Sequence, residues 1–277
     1  MRNHLIAIQG SVSSFHDLAA KKYFGEEVTT VECNSFKEVC DKLANNQVDY
    51  GIIAIENKVA GSILMNYQLI DSFDLTIIGE IYLPIKLQLL GNEGTKMSDI
   101  KEIISHPMAL GQSQLFLSSL TDITVSEFKD TATSAKLVKE DSSNQLAVIA
   151  GPKVGEEYGL KVIEESVADE KINFTRFYIL SKGADVEENP TKASVTLQTH
   201  NQVGGLSDVL NVLKNANLNL TKIQSVPIIN NPTSYAFHLD IEFLDKTIFD
   251  DALSSLIPIT ESLKVLGIYK GENLPIN

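Results

Sequence analysis

Tyr50-Gly51-Ile52-Ile53-Ala54-Ile55-Glu56-Asn57 is the stretch from which the fold can be read. Its first six positions are uncharged, three of them are isoleucine, and no polar residue alternates with the apolar ones. A strand of that pattern has both faces covered, as strands do in parallel sheets flanked by helices. The run ends in the polar pair Glu56-Asn57, at the end of the strand where open α/β sheets hold their ligands. The pair has two readings: polar groups aimed into a crevice, or an Asx turn beside a solvated glutamate.

On either side of this strand, β-branched runs alternate with helical patterns, which argues for parallel strands joined by crossover helices. Leu5 to Gln9 reads as a strand, Ser14 to Phe24 as a helix and Val28 to Glu32 as a strand. Ser35 opens a capping box with Glu38, and Phe36, Val39, Cys40 and Leu43 form an apolar stripe at helical spacing. After a long β-rich stretch from Leu75 to Leu90 the alternation restarts. Strand Ile103-Ile104 leads to a helix from about Pro107 to Leu117, strand Ile123 to Phe128, helix Thr131 to Lys139 and strand Leu146 to Ile149. Two successive α/β lobes are expected. Gly183 to Lys192 is acidic, contains Pro190 and reads as a linker. The rest reads as βαββαβ, a ferredoxin-like plan: strand Ala193 to Thr199, helix Gly205 to Asn215, strands Leu218 to Ile228 and Tyr235 to Phe243, a helix around Ile248 to Leu256 and strand Leu263 to Tyr269. Its open edges and uncovered sheet face suggest pairing with a second copy.

Composition narrows the function. Hydrophobic residues make up 43% of the 277 and charged ones 21%, which excludes a disordered chain. With 23 basic against 36 acidic residues the net charge is −13, so nucleic acid and anionic membranes are repelled at long range. No segment approaches a membrane span, and the apolar run Leu5 to Ile8 is too short for a signal peptide, so a cytoplasmic location is expected. Cys33 and Cys40 read as reduced, packed thiols, and the five histidines show no metal-ligand spacing.

Any anionic substrate has to be held by a local exception to this charge. The chain has two arginines, Arg2 and Arg176. Arg176 lies in Asn173-Phe174-Thr175-Arg176-Phe177, read as immediately preceding an apolar strand, Tyr178 to Leu180. It suits either a carboxylate clamp, since guanidinium grips carboxylates in paired hydrogen bonds, or a surface position beside packed phenylalanines. Ser105-His106-Pro107 ends a strand and opens a helix, so the serine suits capping or anion binding. Gln112 falls inside that helix, and Lys129-Asp130-Thr131 opens another, where capping explains Asp130.

Taken in order, Glu56-Asn57, Ser105-His106-Pro107 with Gln112, the run Asp130 to Ala135, Tyr158-Gly159-Leu160 and Asn173 to Phe177 resemble the prephenate dehydratase family. From Ser194, Gly204-Gly205-Leu206 and Asn219 to Pro227 resemble an ACT domain. The resemblance implies an α/β fold with a bilobal, type II periplasmic-binding-protein-like catalytic region at residues 1–182. Lobe one would comprise about 1–79 plus 168–182 and lobe two about 80–167, followed by a ferredoxin-like ACT domain at 193–277. It implies conversion of prephenate to phenylpyruvate, water and carbon dioxide without cofactor or metal. It implies L-phenylalanine as effector and a homodimer or homotetramer paired through ACT domains. Carried over by motif, Thr175, Arg176, Glu56, Asn57, Ser105 and Gln112 would be catalytic, with Arg176 on the side-chain carboxylate and Thr175 on the departing oxygen. Phe177, Ser14 and Thr131 would bind substrate. Gly204, Gly205, Leu206, Asn219, Gln224 and Ser225 would bind effector. The chain departs from the family pattern at Gly10 to His16, at Lys58 in place of serine, at Met108 and Ser113, and at Val226 in place of the arginine associated with phenylalanine control. Two rival readings are arogenate dehydratase and a non-catalytic sensor of the same architecture.

Overall fold

The structure, a computed structural model, describes residues 4–183, 188–228 and 231–274. Of the expected linker, residues 184–187 lie outside the described residues. The first lobe holds β1 (Leu5–Gln9), α1 (Phe15–Phe24), β2 (Thr29–Cys33), α2 (Phe36–Ala44), β3 (Tyr50–Asn57), β4 (Gly61–Ser62), α3 (Leu64–Phe73) and β5 (Thr76–Pro84). Helix starts are set by local capping: Ser14 Oγ accepts from the Asp17 N–H, and Ser35 Oγ from the Glu38 N–H at 3.2 Å. The Glu38 carboxylate reaches back to the Asn34 N–H rather than to that of Ser35. In α2 the apolar stripe Val39, Cys40 and Leu43 is buried, as its spacing requires.

The second lobe comprises β6 (Gln88–Gly91), β7 (Glu102–Ser105), α4 (Pro107–Gly111), α5 (Gln114–Ser118), β8 (Thr124–Glu127), α6 (Thr131–Glu140), β9 (Leu146–Ala150), α7 (Pro152–Tyr158) and β10 (Lys161–Glu164), in sheet order β10-β6-β9-β7-β8. The single helix expected from Pro107 to Leu117 is broken into α4 and α5. Gly111 weakens the helix there, and the Asp169 carboxylate accepts from the N–H groups of Gln114 and Leu115, capping a fresh start. The chain then returns to lobe one as β11 (Phe174–Ser181), which inserts between β3 and β5 to give the order β2-β1-β3-β11-β5. Two lobes joined by two crossing segments, each sheet inserting next to its edge the strand that has just crossed from the other lobe, β11 in lobe one and β6 in lobe two, make the type II periplasmic-binding-protein arrangement. The outward crossing lies at 85–87 rather than near 80, because β5 stays paired with β11 through Pro84. The two crossing segments bond to each other, Ile85 N–H to the Asn173 carbonyl at 2.8 Å and Val167 N–H to that of Leu87 at 3.1 Å.

β12 (Lys192–Thr199), α8 (Gly205–Asn215), β13 (Asn219–Ile228), β14 (Asn231–Glu242), α9 (Lys246–Leu256) and β15 (Thr260–Tyr269) form the βαββαβ unit, an antiparallel sheet in the order β13-β14-β12-β15. Val209, Leu213, Phe249 and Leu256 of its helices cover Val195, Leu197, Leu239 and Ile241 on one face. The opposite face, expected to be left for a second copy, is instead packed against lobe one. Val226, Leu266 and Tyr269 share one core with Tyr67, Ile70, Ile77 and Tyr178, because β5 and β15 both present apolar surface that has to leave water. At Gly267 the approach is so close that a Cβ would stand 1.9 Å from the Ile77 carbonyl oxygen. Gly267→Ala is therefore expected to cost about 3 kcal/mol, the upper end for overpacking. Urea unfolding checks this, and an unchanged midpoint would show that the sheets do not meet in this way.

Candidate functional site

Between the lobes lies a cavity of about 560 Å³, within the usual range for small-molecule sites. Lobe one contributes Gly10, Ser14, Phe15, His16, Asn57, Thr175 and Phe177; lobe two contributes His106, Met108, Gln112, Lys129, Asp130 and Thr131. Of the residues expected in the site, Thr175, Asn57, Gln112, Phe177, Ser14 and Thr131 thus share one space. Ser14 and Thr131 stand at the starts of α1 and α6, and Phe177 meets the His16 ring edge-on at 5.0 Å.

Three side-chain amides organise this space. Asn57 Oδ1 accepts from the backbone N–H groups of Val59 and Ala60, at 3.0 and 2.9 Å. Those two donors leave one orientation for the amide, with Nδ2 pointing to β11. Nδ2 donates to Thr175 Oγ1 at 3.0 Å and to Asn173 Oδ1 at 3.0 Å. Gln112 closes the ring: its Nε2 donates to Asn57 Oδ1 at 3.2 Å, and its Oε1 accepts from Asn173 Nδ2 at 3.1 Å. The break between α4 and α5 makes this possible, since it places Gln112 at the end of α4 instead of inside a continuous helix. The Thr175 oxygen is an acceptor toward Asn57, so its own O–H is left to point into the cavity. Asn173, part of the motif but not expected in the site, links Asn57 to Gln112 from the crossing segment.

Arg176 is not in the cavity. All of the motif except Asn173 lies inside β11, not before it, and successive strand residues point to opposite faces. Thr175 and Phe177 face the cleft, while Arg176 and Tyr178 face the C-terminal domain. There the guanidinium bonds Glu80 through Nε, at 2.7 Å, and Asp240 through Nη1. Burial is the largest single influence and works against its charge, but Asp240, Tyr178, Tyr269 and Glu80 together outweigh it and hold the pKa well above the ordinary value. Glu56 sits directly across the ladder from Arg176 and shares its face, so it too is absent from the cavity lining and pairs with Lys222 at 2.8 Å. Ser105 is fully buried and donates to the Ile149 carbonyl, tying β7 to β9. A carboxylate clamp by Arg176, and cleft roles for Glu56 and Ser105, are corrected on these grounds.

Charge at the cavity comes from elsewhere. Lys129 is the one lysine or arginine among its described lining residues, and its ammonium donates across the cleft to Asn34 Oδ1 at 2.6 Å. Burial, reinforced by nearby His106, pushes His16 down to about 3, so it is neutral, and its Nε2 has no hydrogen-bond partner among the described residues. His106 is lowered by burial, and its Nδ1 accepts from the Met108 N–H at 3.1 Å, capping α4. Lys58 is exposed over the Phe174 ring and outside the lining. No cluster of metal-ligating side chains occurs among the described residues. Sequence reasoning passed over Lys129 because Asp130 beside it explained the motif as a cap.

A second, more open concavity of about 590 Å³ lies along α8 and the start of β13, lined by Leu210, Lys214 and Asn219 among others. Of the residues expected to bind an effector it includes Asn219 alone. Gly204, Gly205 and Leu206 stand at the start of α8, and Gln224 and Ser225 lie on the outer strand β13.

A family profile described as prephenate dehydratase matches residues 6–185. The chain is 34% identical over 275 residues to the bifunctional chorismate mutase/prephenate dehydratase of Escherichia coli (strain K12), covering 97% of this chain and 71% of that protein. It is 32% identical to arogenate dehydratase/prephenate dehydratase 1, chloroplastic, of Arabidopsis thaliana, over 95% of this chain and 71% of the relative. The solved structure of prephenate dehydratase in complex with L-Phe from Arthrobacter aurescens superposes with a TM-score of 0.85 at 26% identity, covering 96% of this chain and 89% of that one. A cleft built around Thr175 and Asn57 and a match spanning the whole bilobal region lead to the same conclusion: the chain belongs to the prephenate dehydratase family.

Proposed function

We propose that this chain converts prephenate to phenylpyruvate, with Thr175 meeting the departing hydroxyl, and that its βαββαβ unit is an ACT domain responsive to L-phenylalanine. The observation that carries the catalytic part is the Thr175 hydroxyl, held as acceptor by an Asn57 amide whose orientation is set by two backbone donors. In the reaction the ring C–O bond breaks, and the hydroxyl takes up one proton and leaves as water. The bond to the ring carboxylate breaks as carbon dioxide departs, and its electron pair completes the aromatic ring. Such a reaction needs orientation and a hydrogen bond to the leaving oxygen more than a nucleophile. Thr175 supplies that hydrogen bond, Phe177 the apolar wall beside the carboxylate that is lost, and Lys129 the cation for the retained one.

The keto acid is favoured over its amino counterpart by Asp130. It is the one acid among the described lining residues, and each of its oxygens already accepts a hydrogen bond from Thr133, at 2.6 and 2.9 Å. A substrate ammonium would have to share that carboxylate with the cap of α6. Support for the regulatory part is the topology of the C-terminal unit together with the phenylalanine complex of the Arthrobacter aurescens relative. A homo-oligomer in the cytoplasm belongs to the same proposal.

Purified protein assayed with prephenate and, separately, arogenate tests the reading; no phenylpyruvate with or without phenylalanine overturns it. Thr175→Ala is expected to lower kcat by about 10²- to 10⁴-fold with KM nearly kept. Lys129→Met is expected to raise KM by about 10- to 100-fold, the cost of a hydrogen bond to a charged group. His16 gives a separate check by pH. Its native pKa near 3 lies below the ordinary 6.5, so between these values the unfolded chain takes up a proton that the native state refuses. Stability therefore falls as pH drops from 6.5 toward 3, and urea midpoints in His16→Asn should fall less steeply over that window.

A further inference from the structure

The front and back of the same two strands serve different domains, and the residues come in matched rungs. Thr175 pairs with Asn57 across the β11–β3 ladder, and the next rung pairs Arg176 with Glu56. The first rung faces the cavity. The second faces the C-terminal unit, where Asp240 holds Arg176 and Lys222 holds Glu56. Lys222 reaches further: its ammonium also donates, at 2.7 Å, to the Oγ of Ser62, which lines the cavity. Its side chain is 14% exposed against 33% for Glu56, so the pair is largely withdrawn from solvent. One peptide unit separates each gripped residue from a site residue, too short a distance for either strand to shift on one face alone.

We infer that Lys222 of the C-terminal unit is a positioning residue for catalysis: by holding Glu56 and Ser62 it fixes the end of β3, and so aims the Asn57 amide at the Thr175 hydroxyl. The inference rests on the proposed reaction at Thr175 and adds that the C-terminal unit contributes to turnover within the same chain, before any effector binds. Docking alone does not account for such a role, because the interface holds other ion pairs. Lys264 bonds Asp74 at 2.7 Å across the same two units, at the turn after α3 and away from the ladder. That pair provides the control.

The test uses the full-length protein and compares Lys222→Met, Lys222→Arg and Lys264→Met with the parent, each by kcat, KM and urea midpoint. Lys222→Met should lower kcat by about 10- to 100-fold, the scale of a misplaced catalytic group, with KM within about threefold. Lys222→Arg should restore most of kcat, and Lys264→Met should stay within about twofold of the parent although it too removes an interdomain ion pair. Parental kcat in Lys222→Met overturns the inference, as does an equal loss of kcat in Lys264→Met. If Lys222→Met does not fold, Glu56→Gln reads the same rung from the other strand, with the same fall in kcat expected and parental kcat overturning. Absence of turnover in the parent counts against the proposed reaction alone. The coupling is then read from the Asn57 side-chain amide resonance of ¹⁵N-labelled protein: a shift in Lys222→Met but not in Lys264→Met supports it, and no shift in Lys222→Met overturns it.

Discussion

A buried cluster of four charges holds the catalytic region to the C-terminal unit. Arg176 and Lys192 supply two positive charges, Glu80 and Asp240 two negative, and none of the four side chains is more than 3% exposed. Tyr178 and Ser194 both donate to Asp240 Oδ1, and the Tyr269 and Ser194 hydroxyls meet at 2.7 Å, so hydroxyls occupy lone pairs that would otherwise be desolvated without compensation. Burial works to raise the Asp240 pKa, but Arg176 and the Ser194 hydrogen bond bring it below the ordinary value. Such a cluster adds little net stability over an apolar contact of the same size. Losing one member is the expensive event, at about 3–5 kcal/mol, because the rest are left buried and unpaired. It therefore specifies where the two sheets meet more than how strongly they adhere. Apolar burial by Val226, Leu266, Ile77 and Tyr269 supplies the adhesion.

The cluster also settles what β11 can do at the cleft. A strand that commits alternate residues to an ion cluster has only the intervening ones left for a ligand, so Thr175 and Phe177 face the cavity while Arg176 and Tyr178 are withdrawn from it. The amide ring of Asn57, Asn173 and Gln112 then joins lobe one, the crossing segment and lobe two around the Thr175 hydroxyl. If the lobes part and Gln112 withdraws, Asn57 still has its two backbone donors, so the acceptor bond at Thr175 does not depend on closure. Closure adds the contribution of lobe two, namely Lys129 and the start of α6, as two sides of a site that lobe one half builds.

The legible parts of this chain were those governed by local rules. The unbroken apolar run Tyr50 to Ile55 required a strand covered on both faces, and β3 is so covered, with Ile53 and Ile55 in one core and Ile52 and Ala54 in the other. The capping signal at Ser35 marked a helix start because the capping bond lies within four residues, and the helix read from Ser14 begins beside it, with Ser14 as the cap. Local rules failed where a distant partner intervened. Asp169 broke the expected helix at Gln112, and the pairing of β5 with β11 carried the lobe boundary to Pro84.

Asn57 could be singled out from the sequence because it ends a buried strand, where α/β sheets hold their ligands, whereas Thr175 was named through the resemblance to the prephenate dehydratase family. Arg176 could be named as unusual, one of two arginines in an acidic chain, but not assigned a face. The sign of a strand's alternation depends on where the strand begins, and that was decided by backbone pairing to β3 and β5. The partners that fill its back face, Glu80, Asp240 and Lys192, come from positions up to 96 residues away. Sequence alone determined the element types and the chemistry available, since both follow from neighbours along the chain. Tertiary structure decided which face each side chain serves, because that choice depends on which distant surface has to be kept from water.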